Sequence, residues 1–410
     1  MNEEDAKKGT GFFGLSRNVI SMGAVSFLND LSSDMIFPFI PIFLTSVLGA
    51  SVAFVGLVEG VADASASMVK MLSGWLSDQR ERRKPLIVFG YSISALAKPL
   101  LAAALAPWHA LVVRFLDRVG KGTRDVPRDA LISLSVPQDL TGRAFGFHRG
   151  ADTLGAALGP VIAFLVLPAL HNNLRSLFLL SFVASFFAVL ILMIFVREVW
   201  ASAGGGILTS GAVRGGGRPW SDLAPRVLGM PFFGFLAVSA LLALGRSSDA
   251  FLLLRARDLG VGLALLPIIY FVSNITFALL STPAGILSDR IGHRNTFMIG
   301  VLIFSGTSFL FARISSLFFI WILFGVYGVY NAFTEGVGRA IVADLVSADR
   351  RASAYGLYHA VTGLAAFPAS VVFGVLWEKF GSSASFYYSA LLGFCAFCMF
   401  VVFRLRLRHA

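Results

Sequence analysis

An all-α integral membrane protein is predicted by this sequence: twelve transmembrane helices in two pseudo-symmetric six-helix bundles, with both termini cytoplasmic. Three observations predict it. Apolar residues make up 56% of the 410-residue chain and charged residues only 14%, against about 45–50% and about a quarter in an ordinary soluble domain. Apolar runs near the roughly 20 residues that cross hydrocarbon recur along the chain. Stretches of the first half also return in the second.

The spans follow in chain order. The first, near 18–46, comes after a polar, mixed-charge start with no small-residue cleavage site, so it reads as a span and not as a signal peptide. Its "FLNDLSSDMIFPFIP" puts Asp30 and Asp34 at i,i+4 on one face near mid-span, and Pro38 and Pro41 interrupt the outer half. The second, 52–76, repeats the spacing with Glu59 and Asp63, and the third, 85–106, carries Lys98 midway.

The fourth, 108–126, contains "RFLDRVGKGTRDVPRD". Its GKGT has the look of a phosphate loop, but that loop needs G-x-x-x-x-G-K-[ST] after a strand. Here Phe115 stands where the first Gly belongs, and Gly122 follows Lys121. Placed on a helix at about 100° per residue, Arg114, Asp117, Arg118, Lys121, Arg124, Asp125, Arg128 and Asp129 share an arc of roughly 140°. The stretch is the inner part of span four with one charged face, and Pro127 is expected to end the helix.

Spans five and six lie near 150–170 and 175–196; His148 and Asp152 at the cytoplasmic start of span five could join a proton path, though a surface-helix role is the favoured reading of His148. Then comes "AGGGILTSGAVRGGGRPWSD", a Gly/Ser-rich tether. The second half places spans near 226–252, 263–288, 295–313, 316–338, 352–377 and 383–403. Arg246 and Asp249 fall in span seven, Asn331 and Glu335 in span ten. Cys395 and Cys398 read as small lipid-facing residues of span twelve, with no His or further Cys to make a metal set. The domains predicted are 1–197 and 225–410, bundles of six helices each, joined by a cytoplasmic linker at 198–224.

The net charge of +11 would suggest nucleic acid in a soluble protein, but its distribution excludes that. Of the 34 Lys and Arg, only Arg175, Arg255, Arg257, Arg313 and Lys379 fall on one side, and Lys70, Lys98, Arg114 and Arg246 lie inside spans. The rest flank the other side, which positive charge marks as cytoplasmic.

The repeat is explicit. "GWLSD" at 74–78 returns as "GILSD" at 285–289, and "RAFGFHRGA" at 143–151 lines up with "SAYGLYHAV" at 353–361. Asp125 falls on Glu335, and "LSSD" ending at Asp34 has a counterpart in "RSSD" ending at Asp249. With these motifs the chain resembles a major facilitator superfamily (MFS) transporter over essentially its full length, and a prokaryotic branch of it with some drug-antiporter motifs. "GWLSDQRERRK" is similar to that family's loop motif G-x-L-x-D-R-x-G-R-R-K, matching at Gly74, Leu76, Asp78, Arg82 and Arg83, with Gln79 and Glu81 departing from it. "GILSDRIGHR" keeps Gly285, Asp289, Arg290, Gly292 and Arg294. The resemblance implies a cytoplasmic gate here. Physically, an Asp at such a place can accept hydrogen bonds from a helix N-terminus.

The resemblance also implies that spans one, four, seven and ten line a cavity. Arg114 matches the span-four arginine of R-x-x-Q-G, with Asp117 and Arg118 replacing Gln and Gly. In span five, Gly146, Gly155, Gly159 and Pro160 fit the antiporter spacing G-x8-G-x3-G-P, while Ala163 and Phe164 stand where a closing Gly pair belongs. Small residues four apart also serve plain helix packing.

Charges at membrane depth are expensive and normally face the bundle interior or water. Low dielectric penalises a bare carboxylate, so Asp30, Asp34, Glu59 and Asp63 are candidates for proton coupling. Permanent pairing with Arg114, Arg118 or Lys98 is the structural alternative. Acidic groups in an aromatic-rich lining suit lipophilic cations, whereas Lys98, Arg114 and Arg246 suit an anion. The expectation is a secondary active transporter, monomeric and multi-pass in the cell (inner/cytoplasmic) membrane, exporting small amphipathic molecules against protons. A proton symporter importing a polar anion and a non-transporting sensor or scaffold are the alternatives. No catalytic set, cofactor or metal site is expected, and the partners are a small-molecule substrate, protons and the bilayer, with no nucleic acid.

Overall fold

A computed structural model describes residues 15–80, 83–136, 141–199, 228–346 and 351–409. The tether predicted at 198–224 lies mostly outside the described residues. The structured part is helical. We number its longer helices α1 (Arg17–Ile36), α2 (Val52–Arg80), α3 (Lys84–Ala102), α4 (Pro107–Leu134), α5 (Thr141–Val166), α6 (Leu174–Phe195), α7 (Met230–Gly245), α8 (Ala250–Asp258), α9 (Leu266–Ile291), α10 (His293–Arg313), α11 (Leu317–Leu345), α12 (Arg351–Phe380) and α13 (Ser382–His409). By length and apolarity, 11 helical segments among the described residues can cross a membrane. The helix α4 is 28 residues long and is left out by its charges.

Three elements differ from the expectation. Pro127 lies inside α4, which continues to Leu134. The residues beyond it hold the helix: Leu131 and Ile132 are fully buried in a core with Leu15, Val19 and Ile87. Neighbouring groups make an interior proline tolerable in a membrane helix. Span seven is broken, since Arg246 to Asp249 are non-helical between α7 and α8. Around the prolines of span one the winding changes: past Ile36 the chain passes through a 3-10 turn at Phe37–Phe39 and a π-helix at Phe43–Val47.

The chain divides into two compact units, Met1–Gly49 with Ser65–Ile207, and Ala50–Ala64 with Leu208–Ala410. The N-terminal part of α2, up to Ala64, is thereby counted with the second unit, where the sequence reading put all of span two in the first. In the first unit α1 packs on α5 and α6, and α3 packs on α4 and α6. In the second, α7 packs on α12 and α13, and α10 on α11 and α13. The repeated sequence thus makes the same pairings twice. Glycines allow the closest approaches. A Cβ on Gly159 of α5 would lie 2.6 Å from the Leu31 carbonyl oxygen of α1, and one on Gly120 of α4 would lie 2.6 Å from the Gly90 carbonyl oxygen of α3. Large apolar side chains such as Leu179, Phe186, Phe187 and Ile194 of α6 remain exposed, as lipid-facing residues must.

Candidate functional site

The members of the charged face of α4 have separate fates. Arg114 is buried at 5% exposure; its guanidinium lies 3.5 Å from Asp117 and 6.0 Å from the Phe37 ring. Arg124, also buried, lies 4.3 Å from the Tyr91 ring centre and donates to the Ser94 hydroxyl at 2.7 Å. Ser94 in turn donates to the Asp117 carbonyl at 3.2 Å. Lys98, buried at 3% exposure, donates to the Ser94 carbonyl at 3.3 Å. Nearer the inner end, Asp125 joins Lys70 at 2.9 Å and Arg128 at 3.7 Å, and Arg128 also meets Asp129 at 3.0 Å. This last cluster is an ion-pair network that ties α2 to α4.

The acids of α1 are placed differently. Asp30 accepts from the Asn29 amide at 2.9 Å and faces Asp152 of α5, itself 3.2 Å from Arg149. Asp34 makes no side-chain hydrogen bond and no ion pair among the described residues. Its charged neighbours are Asp30, Lys121, Arg118 and Lys98. Lys121 likewise forms no ion pair among the described residues, and lies near Arg118, Asp125, Asp30 and Lys70. The polar face of α4 therefore offers cations to the acids of α1.

His148 corrects an expectation. It is buried at 4% exposure, not on a helix surface, and its Nε2 lies 2.7 Å from the Ser26 hydroxyl. Ser26 stands 3.2 Å from the Tyr91 hydroxyl, so α5, α1, α3 and α4 are linked through His148, Ser26, Tyr91 and Arg124. Sequence reasoning missed Ser26, Tyr91 and Ser94. The signal was present in α3, where Tyr91, Ser94 and Lys98 stand at i, i+3 and i+7 of a largely apolar span.

The second unit has its own cluster at the break in span seven. Glu59 is buried at 2% exposure and accepts from the Ser248 hydroxyl at 3.2 Å; Asp63, one turn along, is half-buried. Ser248 also accepts from the Ala250 backbone at 3.3 Å, capping α8. Asp249 accepts from the Tyr327 hydroxyl at 2.9 Å. The Arg246 guanidinium lies 5.7 Å from the Tyr330 ring centre. The side-chain oxygen of Asn331 is buried without a hydrogen-bond partner. Glu335 pairs with Arg339 at 3.6 Å on an exposed face of α11.

Of the loop motifs, Arg82 lies outside the described residues, as do the side chain of Asp78 and the surroundings of Gly74. The Arg83 backbone donates to Glu198 at 2.9 Å, and the Lys84 backbone does the same at 2.9 Å. Glu198 thereby caps the α3 N-terminus, where a negative charge is favoured. In the second copy Asp289 and Arg290 are exposed, and Asp289 makes no hydrogen bond to a helix N-terminus among the described residues. Gly292 has φ +91° between α9 and α10, a left-handed turn that suits glycine; Gly285 lies six residues before the end of α9 and Arg294 at the start of α10. In span five the surroundings of Gly146 are outside the described residues. Gly155 and Gly159 press on the α1 backbone at Phe27 and Leu31, and Pro160 lies inside α5. Cys395 and Cys398 are both exposed on α13.

Comparison with known proteins bears on the family and the fold. The family model of the Major Facilitator Superfamily matches residues 22–255 and 235–410. An uncharacterised MFS-type transporter of Methanocaldococcus jannaschii is 36% identical over 384 residues, 92% of this chain and 92% of the relative. The multidrug resistance protein MdtH of Photorhabdus laumondii is 32% identical over 129 residues, 31% of this chain and 32% of the relative. Among solved structures, the nucleoside transporter NupG superposes with a TM-score of 0.77 at 18% identity, over 93% of this chain and 99% of that one.

Proposed function

The chain belongs to the Major Facilitator Superfamily, and we propose that this multi-pass transporter exports small amphipathic molecules from the cell in exchange for entering protons. The observation that carries the reading is Asp34: a carboxyl inside a membrane span, with no hydrogen bond or ion pair among the described residues, facing Lys121, Arg118 and Lys98. An ionisable residue at such depth is a functional-site hypothesis by default. With Asp34 charged, α1 and the cations of α4 and α3 attract. With it protonated, that attraction is gone. A proton bound from outside and released inside therefore acts differently on two arrangements of the helices, which is what a population shift requires. Asp30, beside it and facing Asp152, is the second acid of the path.

Export is supported by the span-five glycines, whose spacing resembles the antiporter motif, and by the partial likeness to a multidrug resistance protein. The test uses full-length protein in inside-out vesicles with an acid lumen. Addition of a transported compound is expected to drain the pH gradient, read by a lumenal dye, while the compound accumulates. Asp34→Asn is expected to abolish both while leaving the melting temperature in detergent unchanged. Undiminished proton movement in Asp34→Asn would remove Asp34 from the mechanism, and accumulation only from the opposite vesicle face would reverse the direction.

A further inference from the structure

Three deep cations invite an anion: Lys98, Arg114 and Arg246. The structure separates them. Lys98 donates to the Ser94 carbonyl and Arg114 lies beside Asp117, both buried. Arg246 has neither kind of partner: its guanidinium makes no hydrogen bond and no ion pair among the described residues. Asp249 and Glu335 act on it through space without closing to an ion pair with it. Asp249, three residues on, accepts from Tyr327, and Glu335 pairs with Arg339.

What holds Arg246 is the face of Tyr330, 5.7 Å away, whose ring stands 5.4 Å from that of Tyr327. A guanidinium resting on an aromatic face keeps its N–H edges open, and the planar fork of those edges matches a carboxylate in two parallel hydrogen bonds. The backbone is unwound at the same place, from Arg246 to Asp249, as in the discontinuous helices that build transporter binding sites. On α11, one residue past Tyr330, the Asn331 side-chain oxygen is buried without a partner.

We propose that the break in span seven is the head-group subsite of the substrate, with Arg246, backed by the buried Tyr330 ring, binding a carboxylate. The substrate class is then an amphipathic carboxylic acid in its anionic form. This rests on the transporter reading above and narrows its substrate.

The experiment measures binding to the purified full chain with two matched sets of probes: naphthoate, naphthamide and naphthylmethylammonium, and octanoate, octanamide and octylammonium. The carboxylates are expected to bind at least about tenfold more tightly than their amides and ammoniums. Arg246→Gln is expected to erase that preference, and Arg246→Lys to keep part of it, since it retains the charge without the fork. Should Arg246→Gln fail to fold, the head-group comparison in the unaltered protein and in Arg246→Lys still decides. Amides or ammoniums binding as well as carboxylates, no binding by any probe, or an unchanged preference in Arg246→Gln overturns the subsite. The vesicle assay separates the two claims. Carboxylate binding without movement of probe or proton would sink the transport reading and leave the subsite standing. Proton-driven movement of the ammoniums, lost in Asp34→Asn and untouched in Arg246→Gln, would do the reverse.

Discussion

At the scale of single residues, the first unit shows how a membrane span carries a charge. Arg124 is buried because Tyr91 lies beneath its guanidinium and the Ser94 hydroxyl accepts one of its N–H groups. The two roles of Tyr91 can be separated. Tyr91→Phe keeps the ring and loses only the hydroxyl contact to Ser26, so we expect a loss of about 1 kcal/mol. Tyr91→Leu removes the cation–π contact as well, worth about 2 kcal/mol more when desolvated. Thermal unfolding of the two variants in one detergent checks the order; equal losses would mean that Arg124 does not depend on the ring. Glu198 offers a second case, because one carboxylate accepts from two backbone N–H groups at the start of α3. Glu198→Ala is expected to lower stability by about 1–2 kcal/mol, and amide exchange at Arg83 and Lys84 is expected to quicken. None of these contacts was readable in advance. The charges of α4 were placed on one face by their spacing, but which of them would be paired depends on α1 and α3 side chains distant in sequence.

At the scale of helices, glycine positions divide by what faces them. Gly159 has the α1 backbone 2.6 Å from where a Cβ would sit, whereas Gly150, on the same helix, has nothing within 4 Å. Gly159→Ala is therefore expected to destabilise by about 1–3 kcal/mol through overpacking. Gly150→Ala is expected to stabilise by up to about 1 kcal/mol, because alanine is the better helix former. Melting temperatures that move in the same direction would refute this reading of α5. Pro127 makes the converse point. Local rules end the helix there, yet α4 continues because Leu131 and Ile132 are buried in the core. Pro127→Ala should then leave α4 the same length, with helical content by circular dichroism unchanged. Span seven fails in the other direction: its apolar run reads as one helix, and Gly245 to Asp249 contain the small and capping residues that permit a break without announcing it.

At the scale of the whole chain, the repeat is the strongest signal. The same four helix pairings occur in each unit, as expected of two copies that bury the same faces. The asymmetric distribution of Lys and Arg predicts both termini on the cytoplasmic side. Reporters fused to the two ends, each active on only one side of the membrane, are expected to agree with each other and to report the cytoplasm. Opposite readings would require an odd number of crossings.

By itself the sequence determined the class, the approximate spans, the internal repeat and the family, because all four are written in composition and period: apolar runs long enough for hydrocarbon, charges sorted to one side, motifs returning at a fixed interval. It also marked the charged face of span four, since helical spacing is a local property. Only the tertiary structure decided which charges are spent and which are free. Asp125 is committed to Lys70 and Arg128, and Arg124 to Ser94 and Tyr91. Asp34 and Arg246 are left without a hydrogen-bonded or ionic side-chain partner among the described residues. Pairing is a matter of distance in space between residues far apart in the chain, and no periodicity along one helix records what the neighbouring helix presents to it.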